Sequence, residues 1–273
     1  MRVAPFLVTL GLLAASRSGF AQRTLYLDLR AGINHNFVEG AYLGKGEPPF
    51  KAHGRLNFGV QAVAMLRLQL SEQVGIATGY SGSELGWAYG LKVPKQHTRN
   101  PFEGEEKSHG SGLYLHQFPL LLTKTMKVYH LREIDTVRHT YLASFRLDAV
   151  FGGGLNRLGN YCRDCDEELS TGGGLYDEIE FRETLLVRRQ WGQFLLGGVT
   201  ARFYRLGKER LNLSLYYTQG LTDMLLVPVE YRYNTQRGAT TLHVRGSGFS
   251  ATLGVPLRLA TFGIDKGLLK SKK

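Results

Sequence analysis

Across residues 55–70 every second residue is apolar: Leu56, Phe58, Val60, Ala62, Ala64, Leu66, Leu68 and Leu70. The residues between them, Arg55, Asn57, Gly59, Gln61, Val63, Met65, Arg67 and Gln69, are mostly polar. A β-strand points successive side chains to opposite faces, so the stretch predicts one apolar face and one wet face. It is long for a soluble sheet, where strands of about five or six residues prevail. A tilted strand of about 9–11 residues crosses a bilayer. An apolar-out, polar-in ribbon is the repeating unit of a transmembrane β-barrel.

The pattern recurs along the chain. Leu25, Leu27, Leu29, Ala31 and Ile33 alternate with Thr24, Tyr26, Asp28, Arg30 and Gly32. After a tight turn at Ser71, Glu72 and Gln73, residues 74–82 predict a third strand. Residues 113–125 predict a fourth, but Phe118, Leu120 and Leu122 against Pro119, Leu121 and Thr123 do not separate into an apolar and a polar face. Pro119, which costs a ladder hydrogen bond, taken alone argues against a central strand. Tyr141, Ala143, Phe145, Leu147, Ala149 and Phe151 mark a fifth, which the glycines at 152, 153 and 154 are expected to end. Residues 179–204 predict a sixth; Leu195, Gly197, Val199, Ala201 and Phe203 face lipid, and the charged first half projects above the bilayer. A turn at 206–209 leads to a seventh, with Leu211, Leu213, Leu215 and Tyr217 outward. Phe249, Ala251, Leu253, Val255, Leu257 and Leu259 form the closing strand.

Between these strands short turns alternate with long loops at 35–53 and 83–112, around Cys162 and Cys165, and at 223–246, where 227–233 predicts a β-ribbon. The connection at 126–138 is longer than a usual periplasmic turn. Outer-membrane barrels carry short turns on the periplasmic side and long loops outside. The expectation is therefore an all-β, eight-stranded antiparallel up-and-down transmembrane barrel with long extracellular loops and both termini periplasmic. Eight strands enclose a space that side chains fill. Asp28, Arg30, Arg67, Arg146, Asp148, Arg202 and Arg258 are expected to lie in that interior and pair with one another, which argues against a pore.

The ends and the composition narrow the picture. Arg2, the apolar run 6–15 and small residues at Gly19 and Ala21 predict a secretory signal over 1–21, cleaved before Gln22. No later apolar run is long enough for a membrane-spanning helix. The barrel is assigned to 22–262 and a basic tail to 263–273. An exported chain with no helical anchor fits a bacterial outer membrane, where a closed barrel pairs every backbone group. The formal charge is +11, and +9 without Arg2 and Arg17. Basic residues attract anionic lipid headgroups, so outer-membrane lipid or lipopolysaccharide is an expected partner. Nucleic acid is not expected, because no nucleic-acid motif occurs in this exported chain.

Three stretches read together. Leu115-His-Gln-Phe-Pro-Leu-Leu-Leu122 resembles the fourth-strand signature of the PorT-like outer-membrane β-barrel family, in which a proline precedes a run of leucines. Gln193-Phe-Leu-Leu-Gly-Gly-Val-Thr-Ala-Arg-Phe-Tyr204, followed by Leu-Gly-Lys, is similar to its sixth strand. Leu211-Asn-Leu-Ser-Leu-Tyr-Tyr-Thr-Gln-Gly-Leu-Thr-Asp223 resembles its seventh. The resemblance covers roughly residues 22–260 and implies an eight-stranded outer-membrane barrel. It also accounts for Pro119. The namesake of the family is implicated in type IX secretion, so envelope or secretion-machinery proteins are the partners it implies. This chain departs from the pattern in its long outer loops and in the basic tail after Phe262.

Candidate chemistry is sparse. Cys162 and Cys165 are read as a local disulfide stapling the third outer loop of an extracytoplasmic protein. A thioredoxin-like motif needs a βαβ unit. A metal site needs two more ligands, and His97, His109 and His243 lie in other loops without a spacing motif. Asp164, Asp166, Glu167 and Glu168 form an acidic cluster that reads as a solvated loop tip rather than a cation site. His243, Ser247 and His35 fall near the outer rim, but nothing in the sequence joins them, and a general base is a matter of geometry first. No cofactor is expected. The leading function is a non-enzymatic envelope or secretion accessory; the alternatives are a surface adhesin or recognition barrel and a small pore.

Overall fold

The computed structural model describes residues 23–37, 51–54, 58–92, 106–131, 134–135, 140–141, 143–159, 166–171, 179–233 and 236–262. The signal segment 1–21, the tail 263–273, and Cys162 and Cys165 lie outside the described residues. The barrel strands are β1 (Arg23–Asn36), β2 (Phe58–Gln69), β3 (Val74–Lys92), β4 (Glu106–His130), β5 (Ala143–Leu158), β6 (Trp191–Arg205), β7 (Lys208–Gly220) and β8 (Gly248–Phe262). Each pairs antiparallel with its neighbours in sequence. β8 closes on β1 from Asn36↔Gly248 to Arg23↔Phe262. The result is a closed, eight-stranded, up-and-down barrel whose ladder has no free edge.

The fourth strand does not stop at 125: residues 126–130, expected in a connection, continue β4 to His130 and stay paired with β5. Four further boundaries differ from the sequence reading. First, residues 83–92 and 106–112 are not loop. β3 and β4 stay paired out to Lys92↔Glu106, and a short strand, Lys51–Gly54, adds to that hairpin beside Tyr89–Lys92. Backbone groups leaving the barrel still need partners, and continuing the ladder supplies them whatever the side chains are. Second, the three glycines do not end β5. Gly152, Gly153 and Gly154 lie inside it, flanked by Leu121, Leu120 and Pro119 of β4 and by Leu196, Leu195 and Phe194 of β6. A Cβ on Gly152 would overlap the carbonyl oxygen of Leu120, and one on Gly154 that of Phe118. The glycines thus let β4, with its proline, run close to β5.

Third, residues 179–204 are not one strand. Ile179–Thr184 pairs with Val229–Tyr233 in a second sheet, and only Trp191–Arg205 belongs to the barrel. That second sheet stands at the long-loop end. It joins Asp166–Thr171, Ile179–Thr184, Leu186–Val187, Leu225–Tyr233 and Gln236–Val244, the last two forming the expected ribbon. Fourth, the β6–β7 turn is only Leu206 and Gly207, both at positive φ (52° and 70°). This is the two-residue hairpin geometry that matches strand twist. Glu209 is therefore a strand residue.

The outer wall is apolar over a band of membrane height. On β8 it runs Phe249, Ala251, Leu253, Val255, Leu257, Leu259; Leu253 is 52% and Leu259 53% exposed. Ten residues of strand tilted by about 40° climb about 25 Å, the height of the lipid-facing band of such barrels. Aromatic girdles bound it. At the long-loop end His35, Phe37, Phe58, Tyr217 and Phe249 pack in one group, and Tyr80, His116, Phe118 and Trp191 in another. At the short-turn end Tyr129 stacks on Phe145 at 4.5 Å, and Phe145 meets Phe203 at 5.8 Å. In soluble proteins exposed leucines on this scale have no counterpart; in a bilayer they are the buried face. Among the described residues no helix is long and apolar enough to cross a membrane.

The band makes a testable demand. In phospholipid vesicles, Leu253→Arg at mid-wall should lose about 2–4 kcal/mol of unfolding free energy and Leu259→Arg near the rim about 0–1 kcal/mol. Guanidinium unfolding followed by tryptophan emission measures both. Equal, small losses would mean that the wall is not in lipid.

Candidate functional site

The lumen is packed in layers. At the short-turn end, six charged side chains are almost fully buried: Asp28, Asp148 and Glu209 against Arg30, Arg67 and Arg202. Three negative charges thus face three positive ones. Burying an unpaired charge costs several kcal/mol, so neutrality and short contacts are the condition for this layer.

The contacts meet that condition. Arg67 donates through Nε to Asp28 Oδ2 at 3.0 Å and through Nη2 to Glu209 Oε2 at 2.7 Å. Its guanidinium also lies 4.2 Å from the Tyr26 ring centre. Arg30 Nη2 donates to the same Asp28 oxygen at 3.0 Å, while its Nη1 donates to Ser214 Oγ and the Tyr216 hydroxyl at 2.9 and 2.7 Å. Arg202 Nε sits 3.0 Å from Asp148 Oδ2 and 3.9 Å from Glu209 Oε1. Thr125 donates to Asp148 at 2.7 Å. The layer therefore ties β1, β2, β4, β5, β6 and β7 across the lumen.

Two of the expected interior residues stand apart. Arg146 is half-buried at the mouth, stacked over the Tyr204 ring at 5.0 Å. Arg258 is exposed and donates to Thr261 on its own strand. It shares the inward parity of Pro256 and Gly254, but it lies at the rim, where the ladder slips between Leu25↔Ala260 and Tyr26↔Arg258. A slip of the same kind brings in the one interior acid that the sequence reading leaves in the turn at 206–209. In β7, Asn212, Ser214 and Tyr216 face inward, so a period of two puts Arg210 inward as well. The ladder skips Arg210, running from Phe203↔Leu211 to Tyr204↔Glu209, and Glu209 turns in instead.

Above the charges lies an apolar layer: Val63, Met65, Ala77, Leu121, Val150, Phe194 and Leu196, with the ring of Tyr216. Polar groups follow near the long-loop end, where Asn34 and Asn36 donate to the Glu84 carbonyl at 2.7 and 2.9 Å, and Gln61 donates to Ser81 at 2.8 Å. The outer mouth is then closed by a second apolar core. Met224, Leu225, Val227, Val229, Leu242 and Val244 of the outer hairpin pack on Leu85, Leu115 and Leu158 of the wall. The base of that hairpin is pinned by Asp223. Its carboxylate accepts from Arg245 Nε and from Arg188 Nη1 at 3.3 Å, and it lies 3.5 Å from His243 Nδ1. The hydrogen bond from Arg245 holds the Asp223 carboxyl below the ordinary carboxylate range.

The remaining candidates do not assemble. Ser247 accepts from the Gly220 amide at 3.1 Å and from Gln219 at 3.3 Å, while His243 faces Asp223 and His35 packs on Phe37 and Phe58. His97, Asp164 and the two cysteines lie outside the described residues, and among the described residues no three metal-ligating side chains cluster. Two concavities, of about 570 and 480 Å³, open on the outer wall over Ala31, Ala62 and Ala64 and over Gly197 and Ala251.

Two predictions follow from the layers. Arg67→Met strands Glu209 and should cost about 3–5 kcal/mol. Adding Glu209→Gln removes the stranded charge and should recover part of that loss; denaturant titration of both variants decides, and a double variant weaker than the single one contradicts the pairing. At the cap, a folded pKa below the unfolded one means that Asp223 stabilises above the ordinary carboxylate value of about 4 and stops doing so as pH falls through its lower folded value. Amide exchange in residues 225–244 should therefore quicken at pH 3 relative to pH 7, once corrected for intrinsic rates. Asp223→Asn should show the quicker exchange already at pH 7.

No family model matches the chain, and no curated protein does. Among solved structures it is similar to the outer membrane protein OprG from Pseudomonas aeruginosa at 10% identity, over 88% of this chain and 99% of that one, with a TM-score of 0.42. It is also similar to the outer membrane protease OmpT from Escherichia coli at 14% identity, over 90% and 100%, with a TM-score of 0.36. At these scores neither likeness carries an argument, and the barrel rests on its own strand pairing.

Proposed function

We propose that this chain is an integral protein of the bacterial outer membrane, exported with a signal cleaved before Gln22, and that it works as a non-conducting, non-enzymatic envelope or secretion accessory. The observation that supports this is the filled lumen: a neutral charge layer, an apolar layer and a hydrophobic cap succeed one another along the axis. A barrel so filled offers its surfaces, not its interior, to partners. The resemblance to the PorT-like family supplies the secretion part of the reading, with envelope or secretion-machinery proteins as partners.

A second reading is surface recognition. The observation that favours it is the sheet at the long-loop end, where an ordered platform replaces loose loops. Gene deletion separates the two. A secretion accessory predicts that a defined set of cargo proteins accumulates in the periplasm and is released again on complementation, as read by mass spectrometry of periplasm and medium. Unchanged export would refute the accessory role and leave the outer sheet as the functional surface.

A further inference from the structure

The outer aromatic girdle is not uniform. Over β1, β2 and β8 it is His35, Phe37, Phe58 and Phe249. Over β5 and β6 it is Trp191 with Arg157 against its ring. Arg157 is the register partner of Trp191, and its guanidinium lies 5.7 Å from the indole ring. Arg188 and Arg189 lie three and two residues before the tryptophan, and both are exposed. Their backbone is fixed: the amides of Arg188 and Arg189 donate to the Met224 carbonyl at 2.9 and 3.2 Å, and the Gln190 carbonyl accepts from Leu158 at 2.9 Å. Arg188 meets Asp223, but Arg157 and Arg189 have no carboxylate partner among the described residues. His116, the other register partner of Arg157, extends the polar rim onto β4.

We infer that Arg157, against the ring of Trp191, and the exposed Arg189 two residues before it form a docking site for the phosphorylated headgroup of an outer-leaflet glycolipid. The site deepens the membrane reading given above and rests on it. A half-exposed tryptophan marks the depth at which a barrel meets the headgroups. Guanidinium groups at that depth meet phosphate oxygens, which they bind in bidentate fashion. Leu155 and Leu195, just below on the lipid face, offer an apolar wall to the acyl chains. Charge complementarity and depth together select an anionic lipid over a soluble anion, which would gain nothing from the wall.

The chain has two tryptophans, so Trp87→Phe leaves Trp191 as the single emitter at the site. The purified full-length protein in that background is titrated with diphosphoryl lipid A, with dephosphorylated lipid A and with inorganic phosphate. Diphosphoryl lipid A should shift the emission saturably. Each arginine near an anionic surface is worth about fivefold in affinity, so Arg157→Gln with Arg189→Gln should weaken binding about 20–30-fold. Arg205→Gln with Lys208→Gln, exposed at the opposite end, should change nothing. Heat-modifiable migration on gels confirms that every variant is a folded barrel. Equal binding of dephosphorylated lipid, saturation by inorganic phosphate at the same concentrations, or an unaffected arginine pair would each overturn the site. The accessory role stands or falls on the export experiment, so the two failures are distinguishable.

Discussion

Asp28 accepts from two arginines at once, Arg30 of its own strand and Arg67 of the next, and the rest of the interior is arranged to make that possible. A carboxylate with no exposure at all cannot keep its charge without such partners. Two arginines on one acid leave excess positive charge. Glu209 takes up the far side of Arg67, and Asp148 does the same for Arg202. The barrel closes around a set of charges that is neutral only when every strand bringing one is in register.

That requirement explains features that look local. The slip in the β6–β7 ladder turns an acid inward where alternation offers an arginine. The β4–β5 ladder also slips, between Thr125 and Lys127, at the same end of the barrel. It leaves Thr125 bonded to Asp148 while Met126, 53% exposed, faces out. Irregularities gather where the polar layer has to be completed, as bulges commonly do at barrel rims. Higher up, where the fill is apolar, the same strands keep an unbroken period of two.

Much of this was legible in the sequence. Alternation marked the strands other than the fourth, because lipid on one side and packed polar groups on the other impose a period of two; in 113–125 both faces carry apolar residues. It also singled out Asp28, Arg30, Arg67, Asp148 and Arg202 as inward residues. The sequence reading placed Glu209 in the turn at 206–209, and the one-residue slip that brings it inward leaves no trace in composition. It read Gly152, Gly153 and Gly154 as a stop, since glycine as a strand breaker and glycine as room for a neighbouring backbone look alike until the neighbour is known. The outer cap was visible only as a ribbon. That Leu225, Val227 and Leu242 turn back onto Leu85 and Leu115 is a contact between segments far apart in the chain, and no local pattern announces it.

These layers seal the lumen, and the conductance of the purified, full-length protein in planar bilayers measures that seal most directly. A quiet baseline is expected at neutral pH, with no steady unitary current. A reproducible open level in the wild-type protein would contradict it, because a standing aqueous path is incompatible with a charge layer, an apolar layer and a cap that each fill the bore.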